Sequence, residues 1–87
     1  MNKEKLVFIY DTWGSGAGAV FARVREYKRK LGYRVTVLYK YYNGGWKTIA
    51  SKAVMDLDEA AEFVAENTLA SKEQVLAAFK ENGLVIT

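Results

Sequence analysis

The sequence predicts an α+β fold of the ferredoxin-like kind, a βαββαβ order that gives a four-stranded antiparallel sheet with its helices on one face. Three observations carry that expectation. Leu6-Val7-Phe8-Ile9-Tyr10 is a short run of β-branched and aromatic residues. Residues 33–42 and 46–54 alternate on either side of Asn43-Gly44-Gly45. Helical spacing with capping residues dominates after Asp56.

Taken in order, the first run is apolar at every position, as in a strand buried on both faces. Beyond the glycine-rich residues 13–18, Val20, Val24, Tyr27 and Leu31 fall at helical spacing and predict a first helix starting at Ala19. Gly32 suits its C-terminal cap, and Lys28, Arg29 and Lys30 sit in its last turn, where cations favour the helix dipole. The next segment places Tyr33, Val35, Val37, Tyr39 and Tyr41 on one face, and Arg34, Thr36, Leu38, Lys40 and Tyr42 on the other. Asn43-Gly44-Gly45 accepts the positive φ of a hairpin turn. The returning strand is expected to add Trp46 to the helix-covered face, with Lys47 and Ile49 on the open one. Asp56 or Asp58 caps a helix reaching Asn67, and Ser71 with Gln74 has capping-box spacing for a further helical segment. The second helix is therefore interrupted near 67–71. Asn82-Gly83 stops it, and Leu84-Val85-Ile86-Thr87 is the expected final strand.

A chain of 87 residues fits a single domain, and at 51% hydrophobic it has enough apolar side chains to bury a core. Composition removes much chemistry. With no Cys there is no disulfide, thiol nucleophile or zinc thiolate, and with no His there is no imidazole base. No cofactor is expected, and the tools for catalysis are sparse enough to favour binding over an enzyme. The longest apolar run is too short for a membrane span or a signal-peptide core, so a cytoplasmic protein without membrane partners is expected.

The formal net charge of +3 conceals two unlike halves. Residues 1–52 hold eleven Lys and Arg against three acids, hence +8, while residues 53–87 hold two Lys against seven acids, hence −5. In the expected fold a basic first helix lies beside an acidic second one, so part of this charge is neutralised internally.

Four features carry candidate chemistry. The segment from Asp11 to Gly18 follows a strand and precedes an expected helix. Gly14, Ser15, Gly16 and Gly18 are therefore candidates for cradling a phosphate or nucleotide. Their G-x-G-x-G spacing matches neither the dinucleotide fingerprint nor a P-loop. Residues 6–37, with Asp11 ending an apolar strand and Gly32-Tyr33-Arg34-Val35 opening another, resemble the start of the Cas2-like nucleases. That resemblance implies a ferredoxin-like fold and a metal held at Asp11 between two protomers. This chain departs from the pattern in lacking basic residues after Asp11, and no second acid lies nearby in the sequence.

The third feature is the aromatic and basic hairpin. Arg34, Lys40 and Lys47 on an open sheet face suit nucleic-acid phosphates, joined by Arg23, Arg25, Lys28 and Arg29 from the expected basic helix. The fourth is a protein-binding surface. Leu38, Lys40, Tyr42 and Ile49 fit an interface or a self-association face, with Trp13 as a loop anchor. The expectation from sequence is thus a non-enzymatic module that binds a protein partner or a second copy of itself. It would be akin to the small inhibitors of phages and mobile elements, or to engineered scaffolds. Nucleic-acid binding through the basic half is the alternative.

Overall fold

The computed structural model describes residues 4–12 and 18–84. Its elements are β1 (Glu4–Thr12), β2 (Gly18–Glu26), β3 (Tyr33–Tyr41), β4 (Trp46–Val54), α1 (Leu57–Glu66) and α2 (Lys72–Glu81). The strands form one open antiparallel sheet in the order β1-β2-β3-β4, and both helices follow the sheet. The fold is α+β as expected, but the order is ββββαα, not βαββαβ.

The difference lies in residues 19–31. Val20 and Val24 satisfy a period of 3.6 and a period of 2 equally well. The alternation wins because Ala22 between them is also fully buried, while Arg23 and Arg25 point outward. As a strand, the segment pairs along its length with β1 on one side and β3 on the other. The helical stripe never forms, and Leu31 is 83% exposed. Gly32, read as a helix cap, instead closes the β2–β3 loop at φ +112°, where an added Cβ would lie 2.5 Å from the Val54 carbonyl oxygen. Leu84 follows α2 outside any strand, and residues 85–87 of the expected last strand lie outside the described residues.

Two β-bulges then decide which side chains face which way. One falls in β1 at Ile9, between the pairs Phe8–Phe21 and Tyr10–Val20. The other falls in β4 at Ile49, between Val37–Ala50 and Leu38–Thr48. One extra residue shifts the alternation by one and exchanges the faces beyond it. Trp46, opposite Lys40, therefore stands on the open face, and Lys47, opposite Tyr39, on the helix side. This reverses the placement expected from uninterrupted alternation.

The helices cover the other face. Val7, Val20, Ala22, Val24, Val35 and Val37 pack against Ala60, Ala61, Val64, Val75 and Phe79, all 0–3% exposed. Small and β-branched sheet residues leave room for close helix approach, with Phe79 filling the gap under α2. The caps expected from sequence are present. Asp56 accepts from the Glu59 amide at 2.8 Å, with Glu59 reaching back to the Met55 amide at 2.9 Å. Ser71 accepts from the Gln74 amide at 3.1 Å. The α1–α2 corner is tied to the sheet by the Leu69 amide, which donates to the Tyr10 hydroxyl at 3.0 Å. Among the described residues, no helix is long and apolar enough to cross a membrane.

Candidate nucleic-acid interface

With both helices on one side, the opposite face of the sheet carries no covering element among the described residues. Strand pairing arranges its side chains in rows that cross all four strands. The row Phe8–Phe21–Leu38–Thr48 and the adjoining Lys40–Trp46 pair bring three aromatic rings together. Phe8 meets Phe21 edge-on with centroids 5.6 Å apart, and Phe21 meets Trp46 at 5.4 Å and 59°. Such pairs contribute about 0.5–1.5 kcal/mol each beyond area burial and hold the rings in place. Phe8 and Trp46 nevertheless remain 47% exposed. Leu38, at 5%, forms the floor beneath them.

Cations border the rings. Lys40 Nζ lies 5.4 Å from the centre of the Trp46 ring. On the far side of the face the rows Leu6–Arg23–Thr36–Ser51 and Glu4–Arg25–Arg34–Ala53 place three guanidinium groups on two central strands. Glu4 makes a long contact with Arg23, Oε1 to Nε at 3.8 Å, between half-exposed side chains. Arg34 Nη1 donates to Ser51 Oγ at 3.4 Å.

The acids of the C-terminal part sit on the other side of the molecule. Asp58, Glu62, Glu66, Glu73 and Glu81 are exposed on the helices. There Lys72 bonds Asp58 at 3.0 Å and lies 4.0 Å from Glu62. The hydrogen bond to Asp58 holds the Lys72 ammonium above its ordinary value of 10.5. The unlike halves of the sequence have become unlike faces: a mostly basic, aromatic sheet and an acidic helical layer.

Of the residues singled out from sequence, Arg23, Arg25, Arg34 and Lys40 come together on the open face. Lys28 and Arg29 lie in the exposed β2–β3 loop, and Lys47 lies on the helix side of the edge strand. Tyr42, 70% exposed, stands in the hairpin turn, and Ile49, 43% exposed, is the bulged residue of β4. Trp13, Gly14, Ser15 and Gly16 lie outside the described residues. Gly18 opens a strand, so the helix dipole that the phosphate cradle required is missing there. A Cβ at Gly18 would lie 2.5 Å from the Tyr39 ring, which gives this glycine a packing role. Asp11 is exposed opposite Ala19, and no group of three or more acids suited to a metal ion occurs among the described residues.

Leu6, Phe8 and Phe21 are open-face residues that the sequence expectation of a doubly buried strand and a first helix conceals. Their signal was the alternation of Leu6 and Phe8 with Val7, and of Phe21 with Val20 and Ala22, once β2 is a strand. No protein-family model matches the chain, and neither the curated proteins nor the solved structures contain a match.

Proposed function

We propose that this protein binds single-stranded nucleic acid across the open face of its sheet, acting by binding and not by catalysis. The observation that carries the reading is the continuous ring row Phe8–Phe21–Trp46, bordered by Lys40 on one side and the arginines on the other. Unstacked bases offer π-faces to such rings, at about 1–3 kcal/mol per base, while neighbouring cations attract the phosphates. A duplex keeps its bases stacked inside and offers none of them to a flat aromatic row, so single strands are preferred. The acidic helical layer repels a polyanion and leaves the sheet as the side of approach.

The test is a fluorescence-anisotropy titration of labelled 12-nucleotide DNA and RNA strands at low and moderate salt. Binding that weakens steeply with salt is expected, with Trp46→Ala and Phe8→Ala each lowering affinity by about tenfold or more. No binding at low salt, where phosphate contacts are strongest, overturns the reading. A second reading, a protein partner or self-association on the same face, draws on exposed Leu6 beside the ring row, with Ile49 at the bulge and Tyr42 in the turn exposed at the edge strand. It predicts dimers in sedimentation experiments, or a pull-down partner whose capture is lost in Ile49→Asp.

A further inference from the structure

The ring row accounts for the aromatics of the open face but not for its arginine end. Arg25 of β2 stands directly opposite Arg34 of β3, and Arg23 lies one row away on the same face. Like charges set opposite each other across two strands destabilise a sheet. Among the described residues Glu4 is the carboxylate that lines this groove, so the three guanidiniums leave a net charge of +2. Glu4 touches Arg23 through Nε at 3.8 Å, so among the described residues most of the five donors of that fork have no partner. Two hydroxyls complete the lining. Thr36 Oγ1 and Ser51 Oγ are 3.2 Å apart, Ser51 also accepts from Arg34, and Thr36 is 6% exposed. A hydroxyl rotates to donate once an acceptor arrives.

We propose that the groove formed by Arg23, Arg25, Arg34, Thr36 and Ser51 is a phosphate-binding subsite. Its forked donors bind non-bridging phosphate oxygens, and the bound anion relieves the Arg25–Arg34 repulsion. On the single-strand reading given above, on which this extension rests, the groove takes a backbone phosphodiester while the bases lie toward Phe8, Phe21 and Trp46. The strand then crosses the sheet with its sugar–phosphate side at the arginine end. The groove continues across the strands from Glu4 to Ser51, so it suits an internal phosphodiester as well as a terminal phosphate.

The experiment combines thermal unfolding with oligonucleotide titration. Inorganic phosphate or pyrophosphate, against chloride at matched ionic strength, raises the wild-type Tm by about 4–8 °C once the anion is well above its Kd. Arg25→Gln and Arg34→Gln each abolish that shift while leaving the Tm in chloride unchanged or higher, because the like-charge pair is gone. The same variants lower the slope of log affinity against log salt by about one each. Lys28→Gln, in the β2–β3 loop, keeps the phosphate shift and serves as the control. Trp46→Ala also keeps it while losing oligonucleotide affinity.

The two readings fail separately. A phosphate shift without oligonucleotide binding supports the subsite and removes the single-strand reading. Oligonucleotide binding with no phosphate shift, or a shift that survives in both arginine variants, overturns the subsite alone. Equal affinity for strands with and without a 5′-phosphate identifies an internal phosphodiester as the bound group, and a preference for the phosphorylated strand identifies a terminal one. Both outcomes support a phosphate site.

Discussion

The two faces of this sheet are made by the same four strands, yet they solve opposite problems. The covered face presents Val and Ala, whose small or branched side chains let two helices approach and exclude water. The open face presents Phe, Trp and Arg, whose side chains hold their positions through ring contacts and a few polar bonds while staying accessible. One face stores the folding free energy and the other leaves aromatic and cationic side chains open to solvent. Alternation lets a strand serve both without compromise.

The contrast is tested most severely by paired truncations. Phe79→Ala, on the covered side, removes a fully buried ring and is expected to cost about 3–5 kcal/mol, a large share of the stability of a small domain. Phe8→Ala, on the open side, is expected to cost about 1 kcal/mol in the same urea titration, since half of its surface already meets water. A large loss in both variants would mean that the open face is part of the core. Gly32→Ala comes next. The new methyl meets the Val54 carbonyl in a backbone conformation that favours glycine, so a loss of about 1–3 kcal/mol in thermal unfolding is expected.

The smallest effect belongs to the helical layer. Lys72 has its pKa raised in the folded state, chiefly by the bond to Asp58, so its stabilising contribution is fully present below the unfolded value of 10.5. It is lost as pH rises through the folded value. The stability difference between wild type and Asp58→Asn is therefore expected to shrink above that pH, and also on adding salt, because the pair is exposed.

The division into faces was only partly legible in the sequence. The β3–β4 hairpin and both helices follow from local chemistry: a turn of Asn and two glycines, an Asp cap with its returning Glu, and a Ser cap three residues before Gln. Residues 18–26 are ambiguous in the sequence because Val20 and Val24 fit either period. A basic stretch followed by Gly32 also imitates a helix end. Nothing local to that segment separates the two readings; pairing with β1 and β3 does. The placement of Trp46 was hidden for a different reason. The bulges at Ile9 and Ile49 emerge from strand pairing, and without them alternation puts Trp46 under the helices.

The bulge at Ile49 makes the outer strand behave like a reading frame. Between Ala50 and Trp46, which side chain lies on the open face and which meets the helices is set by whether the extra residue is bulged out of the pairing, and not by residue kind. Deleting Ile49 joins Thr48 to Ala50 in plain alternation, so Trp46 stays on the open face and Lys47 on the helix side, now without a bulge. The opposite change, the same residues drawn into unbroken alternation with Ile49 paired, turns Trp46 under the helices while the amino-acid content of the strand stays intact.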